Sequence, residues 1–423
     1  MSHLAARDSA AIWHPFTQRG MGAEPLPVIA ARGARLTLED GRDVIDGISS
    51  WWCNTLGHGH PELVAAAAGQ MAVLDHVMFA GLTHEPAVTL AEDLLRALPP
   101  GYGKVFFSDN GSTACEVALK LALQLFHNRG KARMRIVALE GAYHGDTFGA
   151  MAAGARGIFS APFEGHLFPV DRLPIEGGAE ACERLERLCA SGEVAAFIFE
   201  PLVQGAGGMR MYAASVLNSY IEIARRHGVV TIADEVMTGF GRLGPLFVSS
   251  LLDHAPEVIC LSKGITGGTL PLAVTVVRDA LFDEFVSADH SRTFFHGHTY
   301  TANPVACAVA RRALALTQKE ECWLNRARIE EAHMTFAEEL ASRADVSRVR
   351  VCGTILALDL IGMERGYTSS AGRGVSAMLL ERGALLRPLG DVLYVLPPYC
   401  TTSGELGVLY GAIRGLLDER KRA

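Results

Sequence analysis

The sequence lacks an excess of positive charge, a membrane-length apolar run and any cysteine pair of the C-x-x-C type. Its 423 residues contain 39 Lys and Arg against 46 Asp and Glu, so the formal net charge is -7. Proteins that bind nucleic acid or an anionic membrane need a basic face, and this balance argues against both. No window reaches the ~18 uninterrupted apolar residues of a membrane span. We therefore expect neither a nucleic-acid partner nor a membrane partner.

The cysteines and the start of the chain bear on the cellular compartment. The nine cysteines are odd in number, and most lie in apolar runs. This pattern argues against a disulfide framework and favours reduced thiols. The first 16 residues contain no continuous apolar stretch of the signal-peptide type. We therefore expect a cytoplasmic protein.

Short apolar runs that alternate with helical patterns predict an α/β fold. The runs are apolar throughout, which is typical of strands buried on both faces of a mainly parallel, doubly wound sheet. The strand candidates are 104–108, 135–140, 194–200, 228–234, 257–262 and 272–277. A helix is predicted from Thr113 to Asn128, because its apolar residues recur on one face.

The distribution of these elements predicts a large domain and a smaller one. Residues 1–49 are predicted to form an arm and a hairpin, with its turn at Asp40-Gly41, that packs with the small domain. Residues 50–312 form the predicted large domain. Residues 313–423 begin with a charged helical stretch, continue with strands at 349–360, 383–388 and 392–398, and form the predicted small α+β domain.

Polar residues follow five of the predicted strands. They are Ser108 to Thr113, Gly141 to Asp146, Glu200 to Gly205, Asp234 to Val236, and Ser262 to Gly264. Ligands of open α/β sheets bind beyond the carboxyl ends of the strands. Five polar strand ends therefore predict a functional site.

Three of these strand ends together match the needs of pyridoxal phosphate. Gly111 and Ser112 open a helix, whose free N–H groups favour a phosphate. Asp234 could keep a pyridine nitrogen protonated, and Lys263 could form the covalent bond to the cofactor. Taken singly, each feature also has an ordinary interpretation: a helix cap for the first two and a surface lysine for the third.

Six segments resemble class III pyridoxal-phosphate-dependent aminotransferases of fold type I, and the resemblance covers essentially the whole chain. The segments are SDNGSTACEVALKLA (108–122), GAYHGDTFGAM (141–151), FEPLVQGAGGM (199–209), IADEVMTGFGRLG (232–244), LSKGITGG (261–268) and HTYTANPVACAVA (298–310). The resemblance implies that Lys263 binds the cofactor covalently, that Asp234 contacts its ring nitrogen and that Tyr143 stacks on its ring. It implies a homodimer with shared active sites, in which Thr299 reaches the phosphate of the partner's site. The substrate-pocket positions that it implies are Trp51, Trp52, Tyr143, Asp146, Gly297 and Arg387.

Three further segments narrow the resemblance within the family: IWHPFTQ (12–18), SSWWCNTLGHGHPEL (49–63) and GALLRPLGDVLYVLPPY (383–399). They are similar to members that act in biotin synthesis. These members transfer an amino group from S-adenosylmethionine to 8-amino-7-oxononanoate and form 7,8-diaminononanoate. Arg387 would bind the acceptor's carboxylate, a bidentate task suited to a guanidinium.

The chain departs from the family pattern at two positions: the first leaves the amino donor open, and the second alters the phosphate-side interface without removing Thr299. Phe16 stands where many members have Tyr, and His298 stands in an HGHT sequence where many have HGPT. Some relatives use lysine instead of S-adenosylmethionine, so lysine is the alternative donor. A class III ω-aminotransferase with another substrate is the second alternative.

Two other classes of protein remain as rivals. The pairs His58-Gly59-His60 and His296-Gly297-His298 could contribute to a metal hydrolase, with Asp146 or Asp234 as further ligands. Both pairs lie in glycine-rich loops that are far apart in sequence. A non-catalytic binding protein would have no use for Lys263 at a strand end.

Overall fold

The computed structural model describes residues 3–21, 24–363 and 371–421. In these ranges the helices are α1 (His3–Ala11), α2 (Ser49–Trp52), α3 (Pro61–Met71), α4 (Glu85–Ala97), α5 (Gly111–Asn128), α6 (Phe148–Ala153), α7 (Ala179–Ala190), α8 (Ala214–Arg226), α9 (Asp279–Asp283), α10 (Pro304–Thr317), α11 (Glu320–Ala341), α12 (Ala371–Glu381) and α13 (Ser403–Arg420). The strands are β1 (Val28–Arg32), β2 (Arg35–Leu38), β3 (Asp43–Asp46), β4 (Tyr102–Ser108), β5 (Arg135–Leu139), β6 (Val170–Leu173), β7 (Val194–Phe199), β8 (Val203–Gln204), β9 (Arg210–Met211), β10 (Val230–Asp234), β11 (Val258–Leu261), β12 (Ala273–Arg278), β13 (Val346–Cys352), β14 (Ile355–Leu360), β15 (Ala384–Leu385) and β16 (Val392–Val395).

The largest sheet has seven strands in the order β4-β12-β11-β10-β7-β5-β6. Its pairs are parallel from β11 to β6, whereas β12 runs antiparallel to both of its neighbours. All six strands predicted for the large domain lie in this sheet. The seventh, β6, was missed because its sequence VDRL contains only two apolar residues. The predicted α/β fold with a mainly parallel sheet is confirmed.

Both faces of this sheet are buried, as the apolar strands predict. Along β5, Ile136 and Ala138 belong to one apolar cluster, which also contains the buried face of α5. Val137 and Leu139 point the other way, into a cluster that contains residues of α4, α7 and α8. Successive strand residues face opposite sides of a sheet, so a strand covered on both sides must be apolar at every position.

The predicted helix after β4 begins two residues earlier than expected, at Gly111. Asn110 caps it, because its side-chain oxygen accepts a hydrogen bond from the backbone N–H of Thr113 at 2.9 Å. The buried face of α5 includes the predicted Val117, Leu121 and Leu125. The cap and the apolar face together fix the start of α5 at the end of β4.

The N-terminal hairpin and the C-terminal segment pair with each other. β2 and β3 are antiparallel around the predicted turn at Asp40-Gly41, and β15 adds to β3 in parallel. The predicted strand at 349–360 is two strands, β13 and β14, because Gly353 turns the chain with a φ of 52°. β15 belongs to residues 313–423, so this pairing joins the hairpin to the C-terminal segment. The predicted domain boundaries at 49 and 312 stay a prediction. None of the described helices is both long and apolar enough to cross a membrane.

Candidate active site

All five polar strand ends contribute to one cavity of about 470 Å³. It lies at the carboxyl ends of β5, β7, β10 and β11 and at the start of α5. Its lining includes Asp109, Asn110, Gly111, Ser112, Tyr143, His144, Gly145, Glu200, Asp234, Ser262 and Lys263, together with Trp52 and Cys53. We call the polar part made by Glu200, Asp234 and Lys263 the floor of the site.

The backbone is closely packed at the start of α5, where neither Gly111 nor Gly145 has room for a side chain. A Cβ atom on Gly111 would lie 2.7 Å from a methyl of Val236, and one on Gly145 would lie 1.9 Å from Oγ of Ser112. Ser112 does not cap the helix, since Asn110 does so. Its hydroxyl instead accepts a hydrogen bond from the backbone N–H of Asp146 at 3.1 Å. This arrangement of free helix N–H groups and a nearby hydroxyl suits a phosphate.

Asp234 is held by three neighbouring residues and caps none of the described helices. Its Oδ1 accepts a hydrogen bond from the N–H of Val236 at 3.1 Å, while its Oδ2 lies 2.7 Å from Nδ1 of His144. The thiol of Cys115 also donates to Oδ2, at 3.5 Å. Burial opposes protonation of His144, but the hydrogen bond to Asp234 and that to Cys115 outweigh it and raise the pKa of His144 to about 10. The carboxylate therefore faces the cavity with a fixed orientation and a cationic neighbour.

Lys263 projects into the same cavity from a left-handed backbone. Its φ is 46°, at the start of a short 3-10 helix, Lys263–Thr266. Its Nζ lies 5.0 Å from the centre of the Trp52 ring, which is a cation–π distance. Burial lowers the pKa of Lys263, although the charges of Asp234 and Glu200 oppose this shift. A lowered pKa raises the fraction of neutral amine, the form that acts as a nucleophile.

Glu200 has a clearer role in the structure than its sequence position indicated. Its Oε1 accepts from the N–H of Tyr143 at 2.9 Å, and its Oε2 accepts from the N–H of Gly205 at 3.0 Å. Burial raises its pKa to about 7. Glu200 therefore ties two of the loops that follow strands to each other. The only sequence signal for it was its place directly after β7.

Tyr143 and Asp146 lie beside the floor. Tyr143 lines the cavity, and its hydroxyl donates to the carboxylate of Asp146 at 3.0 Å. Burial raises the pKa of Tyr143, so the hydroxyl keeps its proton. Asp146 is exposed and is not among the residues that line the cavity.

Trp51, Trp52 and Arg387 form a second part of the site, which we call the rim. Trp52 is buried, and its Nε1 donates to the hydroxyl of Tyr394 at 3.0 Å. Trp51 is 41% exposed, and the guanidinium carbon of Arg387 lies 5.1 Å from the centre of its ring. Phe16 packs edge-on against the same indole, with ring centres 5.5 Å apart. The rim thus joins segments from both ends of the chain, and Trp52 connects it to the cavity.

The backbone beneath the rim is a left-handed helical turn, which no sequence pattern predicted. In α2 the φ angles of Ser49, Ser50, Trp51 and Trp52 are 48°, 47°, 86° and 72°. Left-handed helix costs roughly 1–2 kcal/mol for each L-residue. Trp51 and Trp52 therefore belong to a strained segment of backbone.

Gly297 and Thr299 lie away from this cavity. Both are exposed and neither is among the residues that line it. They follow His296, whose Nδ1 lies 3.0 Å from Nζ of Lys120 on α5. Six of the predicted site residues line the cavity: Trp52, Gly111, Ser112, Tyr143, Asp234 and Lys263. Asp146 contacts Tyr143 and Arg387 contacts Trp51, but Asp146, Trp51 and Arg387 are not among the lining residues, and neither are Gly297 and Thr299.

The histidine pairs do not form a metal centre. Among the described residues, one group of three potential ligands is close enough for a metal ion, and it consists of Cys115, His144 and Asp234. A hydrogen bond with Cys260 and burial raise the pKa of the Cys115 thiol well above its usual value. A protonated thiol is a hydrogen-bond donor rather than a ligand, which fits its contact with Asp234. Neither H-x-H pair belongs to the group.

The family model for class-III aminotransferases matches residues 17–417. The chain belongs to the class-III aminotransferase family. This aminotransferase is 50% identical over 419 residues to the adenosylmethionine-8-amino-7-oxononanoate aminotransferase of Synechococcus elongatus, which covers 96% of this chain and 98% of that protein. It is 38% identical to the enzyme of the same name from Nitratidesulfovibrio vulgaris, over 98% of this chain and 82% of that protein.

Solved structures of aminotransferases have the same fold. The adenosylmethionine-8-amino-7-oxononanoate aminotransferase of Methanocaldococcus jannaschii superposes with a TM-score of 0.93 at 31% identity, over 99% of each chain. An amine transaminase from an uncultivated Pseudomonas species, solved with pyridoxal phosphate bound, gives a TM-score of 0.90 at 30% identity, over 97% of this chain and 98% of that one.

The cavity fits the cofactor of this family, pyridoxal 5'-phosphate. Gly111, Ser112 and Gly145 line the cavity at the start of α5, where helix N–H groups can hold a phosphate. Asp234 supplies an oriented carboxylate, and Lys263 supplies an amine of lowered pKa. These are the three groups that the cofactor's phosphate, ring nitrogen and aldehyde require.

Proposed function

We propose that this aminotransferase transfers the amino group of S-adenosylmethionine to 8-amino-7-oxononanoate and so forms the 7,8-diaminononanoate of biotin synthesis. The names of its relatives support this reaction. The observation that carries it is the rim. Arg387 stacks on Trp51, and the adjacent Trp52 has its ring 5.0 Å from Nζ of Lys263, an arrangement that suits an acceptor with a long alkyl chain and a terminal carboxylate. Alternatives are lysine as the donor for the same acceptor, and a different ω-aminotransferase reaction.

The floor residues hold the cofactor and move protons in this proposal. Pyridoxal phosphate, when bound, withdraws electrons from the carbon that carries the substrate's amino group. Lys263 would hold the cofactor's aldehyde carbon and would be the base and acid that moves the proton at the substrate carbon. Asp234 would keep the pyridine nitrogen protonated. Gly111 and Ser112 would hold the phosphate, and Tyr143 would contact the ring.

The rim and its neighbours select the substrates in this proposal. Trp51 and Trp52 form an apolar wall for the alkyl chain, and Arg387 binds its carboxylate. Asp146 orients the Tyr143 hydroxyl, since the two are hydrogen-bonded at 3.0 Å.

A homodimer with shared active sites is the proposed assembly. Gly297 and Thr299 would then complete the partner's substrate and phosphate sites, which fits their exposure outside this chain's own cavity. Exposed apolar side chains lie on the segment 71–78 and on the loop around Thr299: Met71, Val73, Met78, Phe295 and Tyr300. The two segments touch, because the rings of His76 and Tyr300 are 5.2 Å apart. Apolar surface of this kind is typical of a protein interface.

The proposed compartment is the cytoplasm. All nine cysteines are free thiols in the structure, and five of them are buried. Reduced cysteines are typical of proteins in reducing compartments.

One assay tests the proposed reaction and its donor. The purified protein, loaded with pyridoxal phosphate, is incubated with 8-amino-7-oxononanoate and either S-adenosylmethionine or lysine, and diaminononanoate is measured. We expect product with S-adenosylmethionine. Product with lysine alone would select the first alternative, and no product with either donor would leave only another ω-aminotransferase reaction.

A further inference from the structure

The left-handed turn beneath the rim needs support from outside itself. Its four residues, Ser49–Trp52, all have positive φ angles. Such a conformation persists only where surrounding contacts over-determine it. Without those contacts, the side chains of Trp51 and Trp52 would turn away from the positions that place them beside Arg387 and Lys263.

Much of this support converges on one buried carboxylate, Asp46. Its Oδ1 accepts from the backbone N–H groups of Ile48 at 3.2 Å and Ser50 at 3.0 Å. Its Oδ2 accepts from the hydroxyl of Ser50 at 2.8 Å and lies 2.9 Å from Nε2 of His58. Asp46 is fully buried. Burial opposes its ionisation, but the hydrogen bonds from His58 and Ser50 outweigh burial and hold the pKa of Asp46 below its usual value.

His58 completes the network and fixes it to the N-terminal hairpin. Asn54 lies just after the turn, and its Nδ2 is 3.0 Å from Nδ1 of His58. When Nδ1 accepts this hydrogen bond, the ring donates from Nε2 to Asp46. The backbone of His58 also exchanges two hydrogen bonds with Gly33, at 2.8 and 2.9 Å. The ring therefore bridges both ends of the turn, Asp46 before it and Asn54 after it.

His60, the other histidine of the same H-x-H pair, has a different role. Its Nδ1 accepts from the N–H of Glu62 at 3.3 Å and so caps α3. It takes no part in the hydrogen bonds around Asp46. A substitution of His60 can therefore serve as the control for a substitution of His58.

We propose that Asp46 and His58 are positioning residues for substrate selection: they hold α2 in its left-handed form and thereby place Trp51 and Trp52 in the rim. The proposal rests on the substrate-binding role of the rim proposed above. Neither residue lies in the floor, so their effect is on substrate affinity and not on cofactor binding.

The test compares His58→Leu and Asp46→Asn with His60→Leu in the cofactor-loaded enzyme. For the first two variants we expect the KM for the acceptor to rise at least ~10-fold, because small displacements of positioning groups have large effects. We expect the visible absorbance of the bound cofactor and the rate of the donor half-reaction at saturation to stay within about two-fold. His58→Gln, whose amide can still donate to Asp46, should recover part of the loss. His60→Leu should leave both KM values unchanged.

Each other outcome overturns the positioning role. An unchanged acceptor KM in both variants would show that the turn does not need the network. An equal rise in His60→Leu would show a general effect on the loop, and loss of cofactor absorbance would place the effect in the floor. Asp46→Asn is nearly isosteric and decides the question if His58→Leu does not fold.

A failure of the proposed reaction is seen separately, in the wild-type assay. If the wild type turns over neither donor with this acceptor, the Kd of 8-amino-7-oxononanoate, read from the change in cofactor absorbance, replaces KM in the same comparison. An acceptor that does not bind the wild type overturns both proposals.

Discussion

The floor and the rim of this site are built by different means. In the floor, Asp234 is the last residue of β10 and Lys263 follows β11. These are neighbouring parallel strands, so the sheet itself brings the two residues together. The rim depends on contacts between distant parts of the chain, such as the hydrogen bond from Trp52 to Tyr394, which are 342 positions apart. The chemical groups are therefore placed by neighbouring strands, although Lys263 itself has a left-handed backbone, whereas the specificity groups depend on a turn of four left-handed residues and its hydrogen bonds.

The largest effect is expected at the floor, from Lys263→Ala. The variant should lose the visible absorbance of covalently bound cofactor, and its turnover should fall by at least ~10³-fold, since a positioned acid–base group contributes about 10²–10⁴-fold. Spectra and steady-state rates measure both. Lys104→Ala is the matched control, because the Lys104 ammonium lies at the surface over the ring of Phe282. Full activity in Lys263→Ala would show that Lys263 does not act in the reaction.

Asp234→Asn should have the next largest effect. The amide keeps the shape of the side chain but loses the charge that faces His144. We expect kcat to fall by about 10²-fold, the usual cost of removing one preorganised electrostatic group, with the fold intact by circular dichroism. The adjacent Glu235→Gln should act on stability instead, because Glu235 accepts hydrogen bonds from the N–H groups of Val248 and Ser249, both at 2.7 Å. Equal loss of kcat in the two variants would contradict the distinction.

At the rim, Arg387→Lys should change substrate affinity and leave the chemistry intact. Lysine keeps the charge but loses the planar fork that binds a carboxylate through two hydrogen bonds. We expect the KM for 8-amino-7-oxononanoate to rise about 10-fold, with kcat and the donor KM nearly unchanged. Arg382→Lys, in the same segment but paired with Glu419, is the control. A fall in kcat without a change in KM would show that Arg387 acts in the chemical step and not in binding the acceptor.

The smallest expected effect is a pH dependence of stability from Glu200. Its folded pKa of about 7 lies above its usual value of 4.5, so the folded state binds the proton more tightly. The resulting stabilisation is fully present below pH 4.5 and is lost as the pH rises through about 7. Glu200→Gln should remove this component, at most about 3 kcal/mol. Denaturant unfolding of the wild type and of Glu200→Gln across this pH range measures the difference in the free energy of unfolding. If that free energy changed with pH in the same way in the two proteins, Glu200 would not be the source of the pH dependence.

The predictions from sequence succeeded where structure is local. The sequence predicted the apolar strands, the helix after β4 and the five polar strand ends. A strand that is buried on both faces is apolar at every position, so its pattern is visible in the sequence. The sequence did not predict the edge strand β6 or the turn at Gly353. A short polar strand has no apolar pattern, and a tight turn inside an apolar run does not interrupt that pattern visibly. The cap at Asn110 was missed because Ser112 and Thr113 offered equally good caps.

The sequence by itself determined the fold class, the cavity floor and the family, because each depends on residues that are close in the chain or on strands that end at one edge of a sheet. Only the tertiary structure decided that Ser49–Trp52 is left-handed, that Asp46 and His58 hold it and that Arg387 stacks on Trp51. The physical reason is that a strained backbone has no propensity signal of its own. Its conformation is fixed by hydrogen bonds to distant residues, such as that from Ser49 to the carbonyl of Leu396.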